Sequence, residues 1–276
     1  MKVLIVGLGL MGGAYSYRLK DKGYEVYGSD LNIETINYAK DNNFIDFGDI
    51  NPENLIPLVD IVILAIYPQS ILPFLEKYQH CFKENQIVTD ICGVKSSFIA
   101  KATELVKPAT YISSHPMAGR EKIGIKYSKE CIFEQANFLI TPYGKCNDKQ
   151  IDILKQLGKD LGFKNITVID VESHDNLIGF TSQLAHVMAV ALVNSDHNEN
   201  TKLFIGDSYR DLTRIAMIND TLWSELFLEN KDNLFKHIQS FENELDKIKN
   251  ALYNNDKEKL VELFKEATIT RKGMEK

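Results

Sequence analysis

Residues 1–30 read MKVLIVGLGLMGGAYSYRLKDKGYEVYGSD, and their order decides the fold. The apolar run Val3-Leu4-Ile5-Val6 leads into Gly7, Gly9 and Gly12. A helical pattern follows, then a second strand-like run, Glu25-Val26-Tyr27-Gly28-Ser29, which ends at Asp30. A GxGxxG that follows a strand, opens a helix and is trailed by an acid after a second strand has the layout of a dinucleotide-binding βαβ unit. In that layout Gly7 permits the tight turn, Gly9 lets the backbone approach a pyrophosphate, and Gly12 lets the helix lie close to the strand. Leu10 and Met11 open the helix, whose unpaired N–H groups and positive dipole end suit phosphate. The carboxylate of Asp30 can accept the adenosine ribose hydroxyls and would repel a 2′-phosphate. The following Leu31-Asn32-Ile33-Glu34 offers no Arg or Lys to hold that phosphate, so the expected cofactor is NAD rather than NADP.

The rest of the composition fits an enzyme working on small molecules. At 276 residues the chain has room for two domains. A formal charge of −6 argues against general binding to nucleic acid or anionic membranes, and leaves any anionic substrate to local Arg or Lys side chains. No apolar stretch is read as approaching the roughly 20 residues that span a bilayer, and the N-terminus reads as a core strand rather than a signal peptide. Cys81, Cys92, Cys131 and Cys146 show no CxxC pairing, which predicts reduced thiols and a cytoplasmic protein without a metal centre.

Strand-like and helix-like segments alternate through the first half. Strands are expected at 60–66, 86–90, 110–113, 137–142 and 165–169, and helices at 69–78 and 148–161. This alternation implies a doubly wound α/β sheet with helices on both faces, spanning residues 1–171. From 172 to 276 strand signals vanish and Gly and Pro become scarce. Helical runs are expected over 175–193, 202–214, 222–240 and 241–272. The first is so apolar that it must be buried, against the first domain or against a second subunit. A homodimer is the expected assembly.

In an open α/β sheet, ligands bind at the carboxyl ends of the strands. Three segments fall there: Tyr67 and Pro68, residues 92–95, and residues 113–120. The last contains Ser114-His115-Pro116-Met117-Ala118-Gly119-Arg120. Oxidation of an alcohol needs a group to accept the hydroxyl proton as hydride leaves, and an imidazole in a loop beside the nicotinamide suits that task. In the helical half, Ser182 and His186 are i and i+4 on an apolar face, where a histidine is ordinarily a satisfied core residue. Arg214 precedes Ile215-Ala216-Met217-Ile218 and is expected to be drawn inward, where its planar fork would need an anion such as a substrate carboxylate.

The ordered set GLGLMGG, DICGVK, SHPMAGRE, ESHD, SQLAH, RDLTRIA and LWSELFLEN resembles the prephenate dehydrogenase family, with arogenate dehydrogenases as close kin. The resemblance runs from Met1 to about Asn230. It implies an N-terminal Rossmann-like domain followed by an all-helical dimerisation domain. It further implies NAD-dependent oxidative decarboxylation of prephenate to 4-hydroxyphenylpyruvate, a step in tyrosine biosynthesis. His115 matches the family histidine that assists deprotonation of the ring hydroxyl, and Arg214 the arginine that binds a substrate carboxylate. His186 matches a second pocket histidine, Glu121 an acid beside the entrance, and Trp223 an aromatic near the site.

Two departures stand out. The family's DxGSVK loop carries a Ser that orients the substrate hydroxyl, and here Gly93, preceded by Cys92, stands at that position. Ser96, Ser97 or Ser114 would have to supply the hydroxyl, while Cys92 reads as a small packing residue. The family's SxLPH reads Ser182-Gln183-Leu184-Ala185-His186, and loss of the proline predicts a straighter helix. No appended chorismate mutase domain and no regulatory module are expected. The alternative functions are arogenate dehydrogenase and, from another class, a non-catalytic nicotinamide-nucleotide sensor.

Overall fold

Val3, Leu4 and Ile5 are fully buried on both faces of the chain's first strand, as a near-continuous aliphatic run demands. The computed structural model describes residues 1–119, 122–130 and 133–274. The expected Glu121, with Arg120 and Cys131, lies outside the described residues.

The first βαβ unit is β1 (Lys2–Val6), α1 (Leu10–Asp21) and β2 (Glu25–Ser29). It continues through α2 (Ile33–Asp41), the two-residue strand β3 (Phe47–Gly48), β4 (Ile61–Leu64) and α3 (Pro68–Tyr78). Next come β5 (Ile87–Asp90), α4 (Ile99–Leu105), β6 (Thr110–Pro116), β7 (Asn137–Pro142), α5 (Asp148–Leu161) and β8 (Asn165–Val168). Among the described residues these strands form one sheet in the order β3-β2-β1-β4-β5-β6-β7-β8. The chain reverses its winding between β1 and β4, which opens a crevice at their carboxyl ends, where Gly7 to Gly12 sit.

One pairing departs from the expected parallel pattern: β6 and β7 are antiparallel. Strand periodicity carries no direction, so the sequence could not disclose this. The pairing has a consequence for the site. It aligns His115 with Leu139 and Pro116 with Phe138, and so prolongs β6 three residues beyond the expected 110–113. His115 therefore stands on a strand and not in a loop.

The helical part contains α6 (Val171–Ile178), α7 (Leu184–Asn194), α8 (Asp207–Thr213), α9 (Asp220–Glu229), α10 (Lys231–Tyr253) and α11 (Lys257–Gly273). Asp170 caps α6 by accepting from the Ser173 amide at 2.8 Å. Contrary to the straight helix expected there, residues Gly179–Gln183 wind as a π turn between α6 and α7. The wider turn brings Gln183 inside, where its amide donates to the Leu226 carbonyl at 2.9 Å and accepts from Asn230 at 2.8 Å. Such turns gather at functional sites.

A second correction concerns length. Helix to helix without a break, Val171–Asn194 makes 24 residues that are long and apolar enough to cross a bilayer by length and composition alone. Its N-terminal turns instead hold His174 and Asp175, both fully buried and hydrogen-bonded within the protein.

The chain divides into two compact units, Met1–Asn230 and Lys231–Lys276. Contacts separate at Asn230 rather than at the change in sequence character at 171/172, with α6 packed against β7 and α9 against α3. The second unit is a hairpin of α10 and α11. Asn255 takes a positive φ of 52° at the bend, and Asp256 caps α11 through the Lys259 amide at 2.9 Å. The expected helix boundary at 240/241 is therefore replaced by breaks at Asn230 and at this turn.

Candidate active site

The dinucleotide loop is built as its glycines require. Gly7 adopts φ +89°, and a Cβ there would lie 2.4 Å from the Ala65 carbonyl oxygen. A Cβ on Gly12 would come within 1.8 Å of the Gly7 carbonyl oxygen, so α1 can lie this close to β1 only with Gly at that position. Beside Gly9 the space is open, and no side chain caps the N-terminus of α1 at Leu10 and Met11. Ser128, from the segment between β6 and β7, donates to the Leu10 carbonyl at 2.8 Å and braces the loop from behind. Asp30 holds the loop as well. Its carboxylate accepts from the Leu8 amide at 2.8 Å and the Asn32 amide at 2.9 Å. Each oxygen keeps a lone pair for a ribose hydroxyl. The open cradle, uncapped helix end and trailing carboxylate together fit an adenine dinucleotide without a 2′-phosphate.

Tyr67 and Pro68 occupy the next strand end. Pro68 opens α3, as its fixed φ and missing N–H favour. The Tyr67 hydroxyl accepts from Asn219 at 3.4 Å. The Gln69 amide donates to the Glu225 carboxylate at 3.1 Å, an acid at a helix N-terminus that sequence reading did not single out.

The densest polar cluster lies at the ends of β5 and β6. Asp90 accepts from the Tyr111 hydroxyl at 2.8 Å, from the Cys92 amide at 2.8 Å and from the Ser113 hydroxyl. It also pairs with the fully buried Lys95 at 2.7 Å. The Lys95 ammonium donates besides to the carbonyls of Cys92 at 2.6 Å and Ser114 at 2.8 Å. All three of its protons are used, which is what a buried lysine needs. The effect is to tie the loop carrying Gly93 to the strand carrying His115. Ser114 cannot replace the missing loop serine. It is buried, and its hydroxyl donates to the Asp90 carbonyl at 2.7 Å. Cys92 is a packing residue, its thiol pushed up to about 12 chiefly by burial.

His115 faces two ways. Its Nε2 looks onto Gly93, where a Cβ would lie 3.7 Å away. Its Nδ1 lies 3.0 Å from Nε2 of His174. His174 Nδ1 in turn meets Asp175 at 2.7 Å. Asp175 also accepts from the backbone amides of Lys95 at 3.0 Å and Ser96 at 2.7 Å. Burial holds His115 well below the ordinary imidazole value, and the nearby His174 and Lys95 push the same way. Burial also lowers His174, against the pull of Asp175. Both rings are therefore neutral near pH 7. Burial works to raise the Asp175 carboxyl, but the hydrogen bonds from His174 and Ser96 outweigh it, and the group stays ionised. Sequence reading quoted ESHD without giving His174 a task. Its only signal was a His-Asp pair in the first turn of a helix, which periodicity reads as core.

Helix α9 links this cluster to the second expected one. Leu226 packs over Gly93, at 3.3 Å from where its Cβ would stand. Trp223, one turn earlier on the same face, stacks on His186 with ring centroids 3.5 Å apart. His186 donates from Nδ1 to the Ser182 carbonyl at 2.9 Å. Arg214 is not drawn inward as expected. Within one chain it is exposed, in the turn Arg214–Ala216 that packs on α7, because Ile215 and Ala216 take the inward positions. Among the described residues, the one trio with metal-ligand spacing, Glu53, His80 and Cys81, precedes β4 and β5. It thus stands at the amino edge of the sheet, opposite the edge that carries His115.

Comparison with known proteins places this arrangement. Residues 15–167 match the family model described as prephenate dehydrogenase, nucleotide-binding domain, and residues 170–266 the one described as prephenate dehydrogenase, dimerization domain. The chain is 30% identical to a prephenate dehydrogenase of Bacillus subtilis, over 99% of this chain and 76% of the relative. It superposes on the crystal structure of prephenate dehydrogenase from A. aeolicus, in complex with hydroxyphenyl propionate and NAD+, with a TM-score of 0.89. Identity there is 31%, over 100% of this chain and 98% of the other. A Synechocystis arogenate dehydrogenase gives a TM-score of 0.85 at 25% identity, over 99% of both chains.

Proposed function

The chain belongs to the prephenate dehydrogenase family, and from that premise we propose that it oxidatively decarboxylates prephenate to 4-hydroxyphenylpyruvate with NAD. One observation carries the reading. A neutral, enclosed imidazole, His115, turns its Nε2 toward Gly93 at the carboxyl edge of the same sheet whose β1 ends in the dinucleotide loop.

NAD, held by the glycine loop and Asp30, would supply the hydride acceptor for the ring carbon that bears the hydroxyl. The protein's own part is proton handling and placement. His115 Nε2 accepts the hydroxyl proton as the carbon is oxidised. The ring carboxylate then leaves as carbon dioxide, the ring becomes aromatic, and its oxygen is left anionic. The same His115 returns the proton to it, so no net proton is consumed. Arg214 supplies a planar fork for a substrate carboxylate, and His186, held by Trp223, lines the substrate side chain. Gly93 leaves space for the hydroxyl in front of His115. Gly7, Gly9, Leu10, Met11, Gly12, Asp30, Tyr67 and Pro68 hold the cofactor.

The working form in this reading is a cytoplasmic homodimer. Leu203, Phe204, Met217 and Leu228 are each more than two-thirds exposed in one chain, an apolar surface that calls for a partner. A second copy would cover it, along with the exposed face of Val171–Asn194, and would close the site around Arg214.

The test is the absorbance of reduced cofactor with purified protein, offering prephenate or arogenate, each with NAD or NADP. Prephenate with NAD should give the highest kcat/KM. Preference for arogenate, as in the Synechocystis relative's name, would move the substrate assignment. No turnover of either compound, with NADH still bound, would favour a nucleotide sensor.

A further inference from the structure

Three side chains stand in line behind the proton acceptor: His115, His174 and Asp175. Hydrogen-bond logic assigns every proton along that line. An ionised carboxylate can only accept, so His174 must place its proton on Nδ1, toward Asp175. A neutral His174 then has a bare Nε2, which can only accept. Nδ1 of His115 must therefore be the donor across the 3.0 Å contact. What remains is a bare Nε2 on His115, facing the space before Gly93.

We propose that His174 and Asp175 are positioning residues that lock His115 in the Nδ1–H tautomer and take up its charge during turnover. As the substrate O–H bond breaks, its proton joins His115 Nε2. The Nδ1 proton of His115 passes to Nε2 of His174. Positive charge then rests on His174, whose Nδ1 proton is held by the Asp175 carboxylate at 2.7 Å. When loss of carbon dioxide leaves the ring oxygen anionic, both protons retrace their paths, and the three residues end as they began.

The groups facing His174 are His115 from β6, Asp175 on its own helix, and Lys95 with Asp90 from the end of β5. Lys95 is neutralised by Asp90 at 2.7 Å, so Asp175 is the carboxylate left to balance an imidazolium. Asp175 is itself pinned by the Lys95 and Ser96 amides. The relay is thus mounted on the loop that carries Gly93. The inference rests on the proposed dehydrogenase reaction.

Two variants separate the geometry. The amide oxygen of His174→Gln reaches about as far as the lost Nε2 and can still accept from His115. That of His174→Asn reaches only toward Asp175. Expected is a kcat loss of about 100-fold or more for His174→Asn and at least tenfold better turnover for His174→Gln, the range in which a positioned proton-transfer group acts. KM for prephenate and NADH affinity should stay within about threefold in both. Equal kcat in both variants overturns the tautomer lock, and wild-type kcat in His174→Asn overturns the whole proposal. Imidazole nitrogen shifts of the ¹⁵N-histidine-labelled wild-type protein give a second readout that needs no variant. Both rings should carry their proton on Nδ1, and His115 protonated on Nε2 overturns the proposal. If wild-type protein oxidises neither prephenate nor arogenate, the functional reading has failed. If it does so and the His174 variants match it, only the relay has.

Discussion

Gly93 stands directly before the outward nitrogen of His115, so that a single added carbon would lie 3.7 Å from Nε2 and 3.3 Å from the Leu226 side chain. In the proposed reaction, the space for the substrate hydroxyl is therefore bounded by a missing side chain. Gly93→Ser should fold and remain active within about tenfold, since Leu226 needs to give only a few tenths of an ångström. Gly93→Val should lose about 100-fold or more in kcat/KM, the cost of displacing a reacting group by about an ångström. Steady-state kinetics with unfolding curves for both variants check this, and full activity in the valine variant would remove this space from the site.

His115→Asn should lower kcat by about 10² to 10⁴-fold, the usual worth of a general base. NADH affinity, read by fluorescence titration, should hardly change, because the dinucleotide loop lies on β1 and not on β6. Near wild-type turnover would exclude His115 from proton transfer.

Asp30→Ala should weaken NAD and narrow its advantage over NADP. The same carboxylate also accepts from the Leu8 amide inside the glycine loop, so the affinity loss should exceed that of a ribose contact alone. A ratio of NAD to NADP kcat/KM equal to that of the wild type would refute the assignment.

Arg214→Ala should act mainly through substrate KM, raised about tenfold or more, as expected when a charged hydrogen bond to a carboxylate is lost. Arg214→Lys should recover only part of it, because an ammonium lacks the planar fork. An unchanged KM for prephenate would show that the carboxylate is held elsewhere.

Acid should destabilise this protein earlier than carboxylate titration would. His115 and His174 are both held below 6.5 when folded, so above that pH neither state carries their protons. As pH falls through 6.5, the unfolded chain binds protons first and stability drops. Asp175, lowered from 3.8, contributes stability that is lost only at more acidic pH. Denaturant unfolding at pH 8 to 5 should show the decline begin near 6.5. The double variant His115→Asn, His174→Gln should flatten it over that window, and an undiminished slope would contradict burial of two neutral imidazoles.

The first thirty residues were enough to read the βαβ unit, the dinucleotide loop and the cofactor acid, because each is a local demand. Gly7 and Gly12 are required by backbone contacts within a few residues of chain or across one strand pair, and such demands leave a mark at fixed spacing. The apolar strands and α5 were legible for the same reason. His115 could be named, but its setting could not. Its place on a strand depends on antiparallel pairing with Leu139, its charge state on enclosure, and its partner on a histidine 59 positions away. Likewise Arg214 was expected inside, and Ser114 was a candidate for the missing hydroxyl. Which neighbour takes the inward position, and which hydroxyl is already used by a backbone carbonyl, are decided by contacts between distant segments. Sequence determined the elements and the chemistry available, since these follow from residue type and short-range periodicity. Tertiary structure alone decided which nitrogen of His115 is free, because that depends on a line of donors and acceptors brought together from β6, α6 and the end of β5.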